Sequence, residues 1–121
     1  MSSAHDPQLL KGVLSLLLLG LVADRESYGY ELVQRLREAG LPGITDGTVY
    51  PALARLEREG RVTARLVASR SGPPRKYYRP TQTGYTALAQ GTASWLSLAE
   101  VVTPVLSRPV PAHPTPPTED V

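Results

Sequence analysis

A chain of 121 residues with a formal charge of +2 fits one domain plus an appendage, a size at which a single core is only modestly stabilising and a second copy is a natural support. It has no cysteine, which excludes disulfides, thiolate metal sites and cysteine nucleophiles, and its two histidines, His5 and His113, fall in expected tails, which argues against zinc and imidazole catalysis. Eight of the thirteen Lys and Arg residues lie between Arg55 and Arg79, so this is the cationic part of the molecule, and the arginine bias suits bidentate phosphate contacts as readily as a GC-rich genome.

Residues 1–8 read as a polar, disordered N-terminus. Leu9 to Val22 is apolar nearly all round and predicts a first helix covered on more than one side. Its apolar run, Gly12 to Ala23, is short for a membrane span of about 20 residues and lacks a convincing cleavage site. The expectation is therefore a core helix of a cytoplasmic, nucleoid-associated protein without a membrane partner. Ser27 is the predicted cap of a second helix through Ala39, with Leu32, Val33 and Leu36 inward and Glu31, Gln34, Arg35, Arg37 and Glu38 outward. Gly40 stops it.

Thr45 to Gly60 predicts the third helix, anchored by Val49, Leu53 and Leu56 at i, i+4, i+7. If Thr48 caps it, Pro51 costs no hydrogen bond; if Thr45 caps it, one bond is lost and a bend follows. The pattern leans toward a start at Thr48 behind a tight turn holding Gly47. After Gly60 the period changes to two: Arg61 to Val67 predicts a strand with Val62, Ala64 and Leu66 on one side, Ser69 to Pro74 a turn, and Arg75 to Arg79 a second strand. Such a hairpin needs helical support.

Thr81 caps a predicted fourth helix to about Thr103, where Pro104 stops or bends it. Tyr85, Leu88, Thr92, Trp95, Ala99 and Val102 recur in steps of three and four, with Leu96 beside them, and Gly91 loosens this seam. A second copy of the helix is its simplest cover. Residues 104–121, with six prolines, predict a disordered tail.

The order helix, helix, helix, hairpin, helix is the outline of a winged helix-turn-helix, mainly α with a small antiparallel β-hairpin. Residues 9–80 form the expected DNA-binding domain and residues 81–103 a dimerisation helix. Double-stranded operator DNA would meet Thr45, Asp46, Gly47, Thr48 and Tyr50 on the third helix, Tyr28 ahead of the second, and Arg70, Arg75 and Lys76 on the wing. Thr48 and Tyr50 serve equally as cap and packing residue, and of Tyr28 and Tyr30 one would be a core aromatic and the other a phosphate-facing hydroxyl, without the sequence assigning which. Glu31, Glu57 and Glu59 have no accompanying nucleophile, base or metal set, so neither an enzyme nor a cofactor is expected.

These residues carry a resemblance. Tyr28-Gly29-Tyr30-Glu31, Gly47-Thr48-Val49-Tyr50-Pro51-Ala52-Leu53 with Leu56-Glu57 and Gly60, Gly72-Pro73-Pro74-Arg75-Lys76-Tyr77-Tyr78, and Thr81 to Gly84 resemble the PadR family of bacterial transcriptional regulators, in its small branch with a single C-terminal helix. The resemblance implies a homodimeric winged-helix repressor whose C-terminal helix crosses to the partner. It also implies a flat aromatic effector between tryptophans at the dimer interface, where Trp95 falls, and together with the helical spacing this makes Tyr85, Leu88, Trp95, Leu96, Ala99 and Val102 the candidate dimerisation or effector residues. The alternative is a ligand-sensing or protein-interaction module on the same fold, in which the Trp95 helix carries the activity and DNA binding is weak.

Overall fold

A computed structural model describes residues 5–109. Residues 1–4 and 110–121, with His113 and most of the expected tail, lie outside the described residues. The element order is α1 (Pro7–Asp24), β1 (Ser27–Tyr28), α2 (Gly29–Ala39), α3 (Asp46–Arg58), β2 (Val62–Val67), β3 (Arg75–Pro80) and α4 (Gln82–Leu106). The strands form one antiparallel sheet of order β1-β3-β2.

The core is aliphatic. Leu14, Leu18, Leu19 and Val22 of α1 meet Leu32, Val33 and Leu36 of α2 and Val49, Leu53 and Leu56 of α3, all buried, with Val62 and Tyr78 closing the sheet side. Both three-residue apolar sets expected on α2 and α3 therefore face inward. At eighteen residues α1 is long and apolar enough to cross a membrane by length and composition, so shortness is no argument against a span. Its buried leucines instead make it the helix around which α2, α3, α4 and β3 assemble.

Helix ends differ from expectation for local reasons. Asp6 caps α1 by accepting from the Gln8 amide at 2.8 Å, and Pro7 occupies the first turn, where its missing N–H costs nothing. Ser27 does not cap α2. It is fully buried in the two-residue strand β1, paired with Tyr78, so the sheet has three strands rather than the expected two. Its hydroxyl accepts from Arg35 Nη1 at 2.8 Å. Arg35, expected to face water, is turned in, with its side chain only 10% exposed. Nη1 also donates to the Leu21 carbonyl at 3.0 Å, which the Arg25 amide shares at 3.1 Å, and this end of α1 is where a cation is favoured by the helix dipole. Arg35→Met keeps the apolar stem but removes the charged donor to the buried Ser27 hydroxyl and the second donor to the Leu21 carbonyl, which retains the Arg25 amide. We expect it to cost about 2–3 kcal/mol, read as a lower urea midpoint at unchanged slope.

α3 starts at Asp46 with Thr45 at the cap, not at Thr48. The Thr45 carbonyl accepts from both Thr48 and Val49 amides at 3.1 Å, which closes the first turn two residues earlier than expected. Gly47 is thus helical, and Pro51 sits at the sixth position and leaves the Gly47 carbonyl without its helical donor. Both residues are exposed, a setting in which solvent can satisfy the carbonyl. Gly60, at φ +75°, ends the helix as the Arg61 amide reaches back to the Leu56 carbonyl at 2.9 Å.

The hairpin packs on the helices only at its base. Val62 is buried and Ala64 half-buried, but Leu66, expected on the same inner side, is 71% exposed because the strands outrun the helical layer there. The bidentate pair of Arg65 with Glu26, at 2.7 and 2.8 Å, ties β2 to the segment ahead of β1, and the Arg65 hydrogen bond holds the Glu26 carboxyl below its ordinary pKa. Thr81 caps α4, accepting from the Gly84 amide at 3.0 Å and donating to the Gly60 carbonyl at 2.6 Å. Pro104 neither stops nor ends α4: the helix runs on to Leu106. Gly91, read as a weak point, is a contact. A Cβ there would come within 2.7 Å of Leu16 Cδ1, so its absence lets α4 lie on α1.

Candidate nucleic-acid interface

Four of the nine residues expected to meet DNA converge on one feature. Tyr28, Tyr50, Arg75 and Lys76, with Tyr30 and Tyr78, line a concavity of about 280 Å³ between the start of α2, the first turns of α3 and strand β3 of the wing. Thr45, Asp46, Gly47 and Thr48 are exposed at the N-terminus of α3 beside it. Arg70 is not in the cup. It sits at the hairpin tip, where Gly72 at φ +108° makes the turn and the Ser69 hydroxyl donates to the Pro73 carbonyl at 2.9 Å.

Each wall of the cup has a local cause. The Tyr28 ring stands edge-on to Tyr77 at 5.3 Å, in register across the β1–β3 pair, and the Arg75 guanidinium lies 4.5 Å from its centroid. Tyr28 is therefore half-buried, Tyr30 is 45% exposed, and neither is a core aromatic. Tyr50, 44% exposed, lays its ring on Gly29, where a Cβ would overlap Tyr50 Cε1. Burial of the Tyr50 phenol, seconded by Asp46, raises its pKa, and burial does the same for Tyr78, so both hydroxyls remain proton donors at neutral pH.

Lys76 is committed in part to the protein itself. Its Nζ pairs with Glu57 Oε1 of α3 at 2.8 Å, which clamps wing to helix. The Glu57 hydrogen bond raises the lysine pKa, so this clamp is complete below the ordinary lysine value of about 10.4 and is lost only as pH rises through the raised one. From the sequence, Glu57 reads as a solvated helix residue, Tyr78 and Gly29 fall outside the site, and either Tyr28 or Tyr30 is the phosphate-facing hydroxyl; the structure places both tyrosines in the cup. The signal for the tyrosines was the Tyr28-Gly29-Tyr30 spacing. Glu57 gave none, because nothing local joins residues nineteen apart.

Gly29→Ala tests the cup without attacking the core. Alanine is the better helix former at this first position of α2, and the obstacle is a half-exposed ring that can swing out. We expect thermal stability within about 1 kcal/mol of the parent and DNA affinity lowered about three- to five-fold, measured by melting and by mobility shift.

Away from this face, α4 leaves Tyr85, Trp95, Leu96 and Val102 exposed, while Leu88 and Ala99 are half-buried within the protomer. Leu98, Val101, Val105 and Leu106 add exposed apolar surface that the spacing argument did not include. Trp95 borders a groove of about 550 Å³ formed with Leu16, Leu17, Leu21, Leu88 and Thr92.

A helix presenting its polar N-terminus beside a basic hairpin, on a three-helix core, defines a winged helix-turn-helix protein. The comparisons then specify the family. The model of the transcriptional regulator PadR-like family matches residues 18–90. A transcriptional regulator of Mycobacterium tuberculosis is 36% identical over 87 residues, which cover 70% of this chain and 78% of that one. The crystal structure of a PadR-like transcriptional regulator from Bacillus cereus superposes with a TM-score of 0.75 at 36% identity, covering 84% of this chain and 99% of its own. A Streptococcus transcriptional regulator does so with a TM-score of 0.75 at 38% identity, covering 84% and 100%. The chain belongs to the PadR family of DNA-binding transcriptional regulators, which are not enzymes.

Proposed function

We propose that the protein is a cytoplasmic, homodimeric repressor that sets α3 into a major groove and its wing on the flanking backbone. The observation that carries this reading is the cup itself. Hydroxyl donors from Tyr28, Tyr30 and Tyr50 and the Arg75 cation converge next to the exposed start of α3, which is what one backbone phosphate needs when the adjacent helix approaches base edges. Thr48 and Asp46 are the side chains placed to read bases, Asp46 by accepting from a cytosine or adenine amino group. Gly47 lets the backbone come close, and its carbonyl, freed by Pro51, is a further acceptor. Arg70 acts as a separate phosphate contact at the wing tip.

The exposed apolar stripe of α4 supports a dimer, because Trp95, Leu98, Val101 and Val105 leave apolar surface that a second copy would cover. Two copies of α3 would then lie about 34 Å apart on successive major grooves. Protection footprinting on the chain's own upstream region tests this. The expected result is two protected half-sites one helical turn apart; a single protected site, or none, contradicts it. The Trp95 groove favours a second role, in which a flat aromatic effector stacks there and shifts the dimer geometry. Saturable quenching of Trp95 fluorescence is its expected sign.

A further inference from the structure

A second, larger concavity lies on the opposite flank of α3 from the tyrosine cup, between the N-terminal half of α1 and the α2–α3 loop. Its volume is about 660 Å³. Leu10, Leu14, Leu41, Ile44 and Ala52 make an aliphatic floor, and Lys11, Arg55 and Arg58 stand on its rim. No carboxylate and no Tyr or Trp ring lines it. Arg55 pairs with Glu59 at 3.2 Å, whereas neither Lys11 nor Arg58 has an ion-pair partner among the described residues.

We propose that this concavity binds an amphipathic anion, a saturated acyl chain ending in a carboxylate. The His5 imidazole is the one aromatic ring in the lining, and the leucine, isoleucine and alanine surface of the floor makes a flexible aliphatic chain the better complement. The rim supplies two cations without an ion-pair partner among the described residues, Lys11 and Arg58, and a guanidinium fork matches a carboxylate bidentately. An apolar cleft with a few polar groups gathered at one edge is the general form of a small-molecule site. The site borders the third helix directly, since Thr48 and Pro51 line it as well. An acyl anion there neutralises the positive potential that Arg55 and Arg58 give this flank of α3 and crowds Thr48, so ligand and duplex compete. This regulatory consequence rests on the DNA-reading role of α3, whereas binding itself does not.

Calorimetric titration of the full chain with octanoate, and separately with 1-octanol, tests the site without DNA. The expected result is one saturable octanoate site per chain, at least about ten-fold tighter than octanol. Lys11→Glu and Arg58→Glu, both at exposed positions and checked for unchanged melting, should each weaken octanoate about ten-fold and leave octanol as it was. Absent saturation, equal affinity for the neutral alcohol, or unchanged affinity in both charge reversals overturns the proposal. Mobility shifts with and without octanoate form a separate arm. Octanoate should weaken duplex binding by the parent and not by Arg58→Glu, and a parent that binds no duplex contradicts the DNA reading while leaving the octanoate titration to stand.

Discussion

Gly84→Ala is expected to destabilise the protein by about 3–5 kcal/mol and to lower its melting midpoint by on the order of 15 °C. Gly84 is the one buried residue of α4, and a Cβ built on it overlaps the Arg61 carbonyl oxygen and comes within 3.0 Å of the Arg61 carbonyl carbon. The obstacle is backbone, which no rotamer change removes. Thr81 anchors the same junction, with its amide on the Arg61 carbonyl at 3.0 Å and its hydroxyl on Gly60, so α4 cannot move outward without breaking its own cap. The roughly 1 kcal/mol that alanine ordinarily adds to a helix interior is small beside this clash. Circular dichroism melting of the single variant checks it, and a midpoint unchanged within a few degrees would show that the junction gives way freely.

Arg75→Ala is expected to weaken binding to every duplex about ten-fold at physiological salt and to reduce the slope of log affinity against log salt by about one. The side chain has no carboxylate partner among the described residues; it rests on the Tyr28 ring and faces the cup. Its whole charge is therefore available to displace counterions. Lys76→Ala should change the slope less, because Glu57 already neutralises much of that cation and removing the lysine mainly unclamps the wing. Specificity should survive both changes, since in the proposed reading phosphate contacts position the helix while Thr48 and Asp46 choose the sequence. Filter binding or anisotropy across a salt series separates the two variants, and equal slopes would contradict the division of labour between Arg75 and Lys76.

The parts of this fold that the sequence displays are those with a period. Leu32, Val33 and Leu36, and Val49, Leu53 and Leu56, mark their helices because a buried face repeats along the chain, and the change to alternation at Arg61 marks the wing. What the sequence hides depends on partners distant along the chain. Strand β1 is two residues long and shows no period; it exists because Tyr78 pairs with Ser27. Arg35 looks like a surface residue until the end of α1 and the buried Ser27 hydroxyl offer it acceptors. The start of α3 at Asp46 defeats a reading from Pro51 alone, because the exposed Gly47 carbonyl tolerates losing its donor. In the site the same division holds. The tyrosines and the wing cations are visible as motifs, but that Arg75 shares the cup with Tyr28 and Tyr50 and also borders the wing-tip recess that holds Arg70, which the cup does not include, follows from the packing of the hairpin.

The central claim, a dimer that reads DNA with the start of α3 and holds it with the tyrosine-lined cup, is tested most directly by selecting genomic fragments on the full-length protein at physiological salt. The account predicts enrichment of a pseudo-palindrome whose half-sites lie about 10 base pairs apart, centre to centre, together with loss of that enrichment in Thr48→Val. Recovery of fragments without a shared sequence, or the same motif from the variant, would contradict it.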